Sequence, residues 1–303
     1  METGDYAKNS NNPLHGLRAL TGRELLKWFK NPVVFGLTVA QPIIWMGLLG
    51  KAINVSAILS AKQFPVLALD PPLSPGQALQ AQAYFAGIAS QIMTSLFGVT
   101  DYFSFLACGI VIFIALLATT YSSTSVVMDR RFGILDKLLA TSVSKTVIIG
   151  SKILSATLRA LVQAFIVVGV AALFGLDFGA NFGPLSVLGG VAIVFLFGMG
   201  MSSVFVAVAL RSTRMETQSA FINFVTIPLM FASSAFFPIS VMPGWLQTVA
   251  NANPTSYAVD AIRCLTIDNG GFGGLATDFE VVGLFALAMT VLSIVLSWRF
   301  LNE

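Results

Sequence analysis

Residues 103–127 read FSFLACGIVIFIALLATTYSSTSVV and contain no Asp, Glu, Lys or Arg. A helix rises about 1.5 Å per residue, so about 20 apolar residues cross the roughly 30 Å hydrocarbon core of a bilayer. This stretch is therefore predicted to span a membrane. Five other stretches have similar length and composition, and the six predicted spans are roughly 33–53, 103–127, 153–176, 185–210, 218–237 and 280–298.

The composition of the whole chain also indicates a membrane protein. Hydrophobic residues make up 56% of the 303 residues and charged residues only 10%, whereas soluble domains carry about 25% charged residues. No stretch between the predicted spans is long enough for an independent domain. We therefore predict an all-α integral membrane protein with a cytoplasmic N-terminal segment, residues 1–32, and one six-helix transmembrane domain, residues 33–303.

The basic residues fall on one side of this topology. Of the 17 Lys and Arg residues, all but Lys51, Lys62 and Arg263 lie on the side of the two termini and the 128–152 and 211–217 loops. Because positively charged segments are retained in the cytoplasm, we predict a multi-pass plasma-membrane protein with both termini cytoplasmic. The net charge of +3 is then explained by these loops, and no nucleic-acid partner is expected.

The first of two predicted surface helices precedes the first span. Over residues 14–30, apolar and basic side chains lie on opposite arcs of a helix, which is typical of an amphipathic helix in the membrane interface. Asn31-Pro32 is expected to end this elbow helix. It is interpreted as a basic membrane anchor that can also contact a cytoplasmic partner. The apolar arc is Leu14, Leu17, Leu20, Leu25, Trp28 and Phe29, opposite Arg23, Lys27 and Lys30, with Arg18 as the exception.

The second predicted surface helix lies between the first two spans. Residues 78–100 are apolar enough to suggest a seventh span, but Gln80, Gln82 and Gln91 would place side-chain amides in hydrocarbon. An extra crossing would also move the basic 128–152 loop outside. We therefore interpret residues 78–92 as an amphipathic helix on the outer surface.

Several kinds of chemistry are absent from the sequence. It has no Gly-x-x-x-x-Gly-Lys-Ser/Thr phosphate loop, no His, Cys and carboxylate cluster with metal-ligand spacing, and only one histidine, His15. We therefore predict a chain that is not an enzyme and binds no cofactor. Among ionisable residues, Arg159 comes nearest to the centre of a span, and its long stem is expected to snorkel. Since ion-coupled carriers usually keep such a group at the midplane, transport would need another energy source.

Two segments carry a family resemblance. Residues 128–154 read MDRRFGILDKLLATSVSKTVIIGSKIL, and residues 221–263 read FINFVTIPLMFASSAFFPISVMPGWLQTVANANPTSYAVDAIR. Together they resemble the membrane subunit of type-2 ABC exporters, in particular the daunorubicin-resistance-type permeases. Ser142 stands where that family usually has Pro, and Arg131 stands where it has a second acid.

The resemblance implies a partnership. Permeases of this kind have six helices and no ATPase site, form dimers with a second copy or a homologue, and sit on two separately encoded ABC ATPase subunits that bind ATP and Mg. The function expected here is the membrane permease of an ATP-driven exporter of a hydrophobic or amphipathic drug or lipid, in contact with membrane lipids. The alternatives are an exporter of lipid-linked polysaccharide and a non-transporting, ABC-coupled membrane sensor or scaffold.

The resemblance also indicates which residues would contact the ATPase. A short helix near 134–140 is expected to present apolar side chains to a groove in that subunit, with charged residues at the rim. The 211–217 loop is a weaker second contact. The predicted coupling residues are Gly133, Ile134, Leu135, Asp136, Lys137, Leu138, Leu139, Arg211 and Arg214.

Two further sets of residues are predicted to handle the cargo. In this family the first and fifth helices of two copies enclose the path, which is here apolar and weakly polar, without fixed charge. Between spans five and six, Pro238, Pro243 and Pro254 predict two short re-entrant helices that form an outer gate or carry only a surface ion pair. The path candidates are Gln41, Trp45, Tyr121, Asn223 and Ser234. The gate candidates are Trp245, Tyr257, Asp260 and Arg263.

Overall fold

The computed structural model describes residues 13–52, 74–99, 101–141, 143–212, 214–267 and 273–300, and the regular structure in these residues is helical throughout. The helices are α1 (Pro13–Phe29), α2 (Pro32–Trp45), α3 (Pro75–Phe97), α4 (Tyr102–Arg131), α5 (Ile134–Leu139), α6 (Lys145–Leu173), α7 (Pro184–Ala209), α8 (Met215–Phe231), α9 (Gly244–Ala252), α10 (Pro254–Thr266) and α11 (Leu275–Phe300). A π-helical segment, Met46–Ala52, continues α2, and a 3₁₀ turn, Ile239–Val241, precedes α9.

Most of the predicted spans correspond to helices of membrane-crossing length. The described residues contain five stretches that are long and apolar enough, and one of them runs through both α3 and α4. These stretches are Pro32–Gly50, Leu79–Arg131, Lys145–Leu173, Pro184–Ala209 and Leu275–Arg299. The predicted fifth span is shorter, because α8 has 17 residues and is therefore about 26 Å long.

The end of α8 differs from the prediction, which extended the helix to residue 237. The helix stops at Phe231, shortly after the internal Pro228. The Nδ2 of Asn253 donates hydrogen bonds to the carbonyl oxygens of Leu229, at 2.7 Å, and Ala232, at 2.6 Å. These carbonyls are among those that a helix end leaves unpaired, so a side chain from the α9–α10 junction fixes the end of α8.

Helix α4 is the centre of the bundle. It packs against α6, α7, α8 and α10, and its residues from Tyr102 to Leu116 are all buried. Gly109 shows how closely the next layer approaches, because a Cβ atom there would lie 2.0 Å from the carbonyl oxygen of Ala235. Only glycine fits this contact, so the turn after α8 lies directly against α4.

Side-chain contacts show which helix ends lie together. At one end, Arg130 Nη1 donates to the carbonyl oxygen of Leu210, and Trp298 Nε1 donates to Thr146 Oγ1. The first bond joins the C-terminal ends of α4 and α7, and the second joins the C-terminal end of α11 to the N-terminal end of α6. We call this the basic end, because α1 and the predicted basic loops lie here. At the opposite end, Tyr102 OH donates to the carbonyl oxygen of Phe236.

Helices form in both segments that were predicted to be surface helices, with different details. Helix α3 covers residues 75–97 rather than 78–92, and its last turns pack against α4, where Met93 is buried and the Phe97 ring lies 5.1 Å from that of Phe105. Helix α1 ends two residues before Asn31, as predicted. Its buried residues are Thr21, Glu24 and Trp28, so the buried face includes a charged residue that the prediction did not place on the apolar arc.

Candidate functional site

A cleft of about 430 Å³ lies between α2, α4 and α6. It brings together three of the five path candidates, Gln41 and Trp45 from α2 and Tyr121 from α4. The Trp45 ring stands perpendicular to that of Phe113, with centroids 5.3 Å apart. The sequence reasoning missed Gln163, a buried side chain that also contributes to the lining. The full lining is Leu37, Thr38, Ala40, Gln41, Ile44, Trp45, Leu48, Leu117, Ala118, Tyr121 and Gln163.

The other two path candidates lie elsewhere. Asn223 is exposed on α8 and does not line the cleft. Ser234 is buried in the turn after α8, where its hydroxyl donates to Asp260 Oδ1 at 2.8 Å. The five residues therefore do not form one site within this chain.

A cluster of charges, all buried except that of Lys27, lies at the basic end. We call Glu24, Lys27, Asp129, Lys152 and Arg159 the elbow charge cluster. Lys152 Nζ is its centre, because it lies 3.0 Å from Glu24 Oε1, contacts Asp129 Oδ2 and donates to Ser125 Oγ at 2.8 Å. It thereby joins α1, α4 and α6.

The cations of the cluster differ in how well they are paired. Lys27 Nζ lies 3.0 Å from Glu24 Oε1, whereas Arg159 Nη2 lies 3.9 Å from Glu24 Oε2. Ser125 Oγ donates to the same Oε2 atom at 3.0 Å. Burial alone would raise the pKa of Glu24, but the attraction and hydrogen bonds of Lys152 and Lys27 lower this pKa from 4.5 to about 2. Glu24 is therefore a buried carboxylate, held ionised by two lysines.

The sequence interpretation of Arg159 was wrong. Arg159 was expected to snorkel, yet it is only 6% exposed and faces Glu24. The sequence analysis also did not place Glu24 on the buried face of α1, where the structure has it. A signal was present in the sequence, because Lys152, Ser155, Arg159 and Gln163 repeat at three and four residues along α6. This spacing puts them on one helix face.

The predicted coupling helix forms as α5, directly after α4. Gly133 precedes it with a φ of 64°, in the left-handed region that glycine tolerates best. Asp136 and Lys137 are exposed, as expected for a rim, while Ile134, Leu138 and Leu139 are half-buried. Leu135 contradicts the prediction, because it is 3% exposed and faces the protein's own interior.

Two other features complete this surface at the basic end. Phe132, which the sequence reasoning did not select, is exposed immediately before α5. Arg211 and Arg214 are exposed between α7 and α8. Arg130, just before α5, donates a 2.6 Å hydrogen bond to the carbonyl oxygen of Leu210, just before Arg211. Both predicted contact segments therefore lie at the same end of the bundle.

The predicted gate residues lie at the opposite end. Helices α9 and α10 form as expected, and with 9 and 13 residues they are about 14 and 20 Å long, too short to cross a bilayer. Trp245 is exposed on α9, and Tyr257 OH donates to the carbonyl oxygen of Asn251. Asp260 and Arg263 form an ion pair of 2.9 Å.

This ion pair is more than a surface contact. The Arg263 side chain is 13% exposed, its guanidinium carbon lies 3.7 Å from the centre of the Phe105 ring, and its Nη2 donates to the carbonyl oxygen of Ser234 at 3.0 Å. Burial raises the pKa of Asp260, and the attraction of Arg263 and the Ser234 hydrogen bond only partly offset this. The pair therefore ties α10 to α4 and to the turn after α8.

Comparison with known proteins identifies the family. The model of the ABC-2 type transporter family matches residues 15–265. The chain is 30% identical over 216 residues to the daunorubicin resistance ABC transporter permease protein DrrB1 of Streptomyces coeruleorubidus, covering 71% of this chain and 74% of that protein. It is 28% identical over 258 residues to the putative transport permease ycf38 of Pyropia yezoensis, covering 84% and 75%. It is 25% identical over 234 residues to nodulation protein J of Sinorhizobium fredii, covering 72% and 87%. The chain belongs to the ABC-2 type transporter family and is a membrane permease of the ABC exporter type.

Proposed function

We propose that this chain moves a hydrophobic or amphipathic cargo, a drug or a lipid, out across the plasma membrane, driven by a separately encoded ATP-binding subunit. The observation that carries the proposal is that α4 and α6 form two walls of the cleft and are also the two helices joined through α5. A movement applied to α5 would therefore reach both walls directly.

The chemistry of the cleft supports an amphipathic cargo. Its volume of about 430 Å³ lies in the range of about 300–1,000 Å³ that is usual for small-molecule sites. Leu37, Ile44 and Leu48 are exposed at its rim, on the side that lipid would cover. Gln41, Tyr121 and Gln163 supply a few polar groups. A molecule with an apolar body and a polar group matches this lining.

The elbow charge cluster supports the proposed coupling. Lys152 holds α1 against the end of α4 and the start of α6, next to the loop that carries α5. Because breaking a buried pair is costly, these elements are expected to move as a unit. In the proposed assembly two such chains sit on two ATPase subunits, which bind ATP and Mg at the cytoplasmic side. Both termini lie on that side, and α9 and α10 gate the other.

Co-purification and reconstitution test this function. The tagged chain, purified in mild detergent from its own host, should retain an ATPase subunit, and the complex should hydrolyse ATP while the chain alone should not. In proteoliposomes the complex should move a fluorescent drug or a short-chain fluorescent lipid only when ATP is present. A Phe132→Asp complex, in which charge enters the proposed ATPase contact, is the matched control. ATP hydrolysis by the chain alone, or no movement of any probe by a hydrolysing complex, would contradict the proposal.

A further inference from the structure

Arg159 lies behind the cleft lining, next to the lining residue Tyr121, and links the elbow charge cluster to the cleft. Its guanidinium carbon lies 6.0 Å from the centre of the Tyr121 ring, and Tyr121 lines the cleft. Gln163, another lining residue, lies one helical turn further along the same face of α6. Arg159 therefore stands between the buried charges and the cavity.

The charge of Arg159 is the least well paired in the cluster. Lys152 contacts both carboxylates, and Lys27 adds a second close contact to Glu24. The nearest carboxylate oxygen to Arg159 among the described residues is 3.9 Å away, beyond hydrogen-bond length, and its Nε has no hydrogen-bond partner there. A buried donor without an acceptor is unfavourable, so an acceptor that reaches it is bound strongly.

The cleft indicates what such an acceptor would be attached to. A guanidinium matches the paired oxygens of a carboxylate or phosphate. The rest of the cleft lining is mostly apolar and includes Trp45 on α2, Leu48 on the π-helical segment and Leu117 on α4. We propose that Arg159 binds the phosphate or carboxylate group of an amphipathic cargo whose apolar part lies in the cleft. This rests on the proposed function and makes its cargo anionic.

Glu24 competes with the cargo for Arg159. In the structure the guanidinium is oriented toward Glu24, whose oxygens are already bonded to Lys152, Lys27 and Ser125. Removing the Glu24 charge would free Arg159 and raise its affinity for an anion. Removing the Arg159 charge would abolish the preference for an anion. A purely structural role for the pair predicts the same direction of change for both substitutions.

Tryptophan quenching in lipid nanodiscs measures this preference. The probes are phosphatidylglycerol and phosphatidylcholine with identical brominated tails, and the Trp45 signal is the difference between the unmodified chain and Trp45→Phe. We expect the anionic lipid to quench Trp45 at a mole fraction roughly tenfold lower than the neutral lipid. Arg159→Gln should bring this ratio close to one, Arg159→Lys should retain part of it, and Glu24→Gln should increase it.

Arg18→Gln is the matched control, because it removes one exposed positive charge from the same end of the molecule and should leave the ratio unchanged. Competition with dodecyl phosphate and dodecanol identifies the source of the anionic group. If dodecyl phosphate alone displaces the brominated phosphatidylglycerol, the site binds any phosphate amphiphile. If neither compound displaces it, the site is assigned to membrane phospholipid. Equal displacement by both would overturn the proposal.

The results separate this proposal from the proposed function. Equal quenching of Trp45 by the two brominated lipids would overturn the anion site and leave an uncharged amphipathic cargo in place. A fall in the ratio for Glu24→Gln, as for Arg159→Gln, would likewise overturn it, in favour of a structural pair. Absence of Trp45 quenching by either lipid would count against the cleft as the cargo path itself.

Discussion

The Nζ atom of Lys152 lies 3.0 Å from Oε1 of Glu24, although the two residues are 128 positions apart. The same ammonium contacts Asp129, so one buried charge joins the elbow helix to both helices that flank α5. The permease thus has a fixed electrostatic centre at the end where an ATPase subunit is proposed to act.

Lys152→Met should destabilise the chain strongly. The substitution leaves Glu24 and Asp129 buried with only the half-exposed Lys27 and the more distant Arg159 nearby, and breaking a buried pair from one side costs about 3–5 kcal/mol. Thermal unfolding in detergent, followed by size-exclusion chromatography, measures the effect. Lys137→Met, at an exposed position on α5, is the control. Equal melting temperatures for the two variants would contradict the central role of Lys152.

The Glu24 carboxylate predicts a defined acid sensitivity. Its pKa is lowered from 4.5 to about 2 in the folded chain, so its stabilisation is fully present above pH 4.5 and is lost as the pH falls toward 2. The stability advantage of the unmodified chain over Glu24→Gln should therefore be constant from pH 8 to 5 and shrink below pH 4.5. An advantage that does not change with acidification would show that the charge of Glu24 contributes nothing.

Gly109→Ala should be far more harmful than a typical glycine substitution. A Cβ atom at Gly109 meets the Ala235 carbonyl oxygen at 2.0 Å, whereas one at Gly169 meets nothing within 4 Å. Overpacking of this kind costs about 1–3 kcal/mol or more, while Gly169→Ala should be neutral or slightly stabilising because alanine favours helix. Thermal unfolding of the two variants side by side tests this, and similar behaviour would refute the close approach.

Phe132→Asp and Leu138→Asp should weaken association with the ATPase subunit or separate ATP hydrolysis from transport. Both positions expose apolar surface next to or on α5, and charge in an apolar groove costs roughly 2–4 kcal/mol. Leu135→Asp should instead destabilise the chain itself, since Leu135 is buried. Leu173→Asp, exposed at the opposite end of α6, is the control for the added charge. Unchanged pull-down and transport in Phe132→Asp and Leu138→Asp would place the ATPase contact elsewhere.

Cysteine labelling should locate α9. A Cys at Trp245, which is 71% exposed, is expected to react only with a membrane-impermeant reagent added outside. Cys108 and Cys264, the two native cysteines, are first replaced by Ser. Labelling from the cytoplasmic side alone would show that this segment crosses the membrane and would reject the six-span topology. The other position suggested by the sequence, Asn269, lies outside the described residues.

The sequence predicted most helices of this protein because a bilayer demands long apolar runs, and these are visible without tertiary information. Pro243 and Pro254 likewise indicated two separate short helices, and α9 and α10 begin at Gly244 and Pro254. The end of α8 was not predictable in this way. It depends on Asn253, which caps it from 21 and 24 residues away in the sequence.

The elbow charge cluster was missed for a related reason. For a charged residue at the end of an apolar run, such as Lys152, the sequence is equally consistent with a place in a cytoplasmic loop and with a buried ion pair. Only the approach of α1 decides between them, because it brings Glu24 to within 3.0 Å. Residues of the cleft were easier to select, since Gln41 and Tyr121 are polar groups inside apolar helices and such groups seek a cavity or a partner.

The contact between Gly109 and Ala235 has a consequence for how the molecule can open. It presses the turn after α8 against the middle helix of the bundle, and the Asn253 side chain holds the same turn to α10. These contacts pack the turn after α8 tightly against α4 and α10. In the proposed dimer, we therefore expect a cargo to leave where two neighbouring copies separate, and not by movement of the α8 turn away from its own bundle.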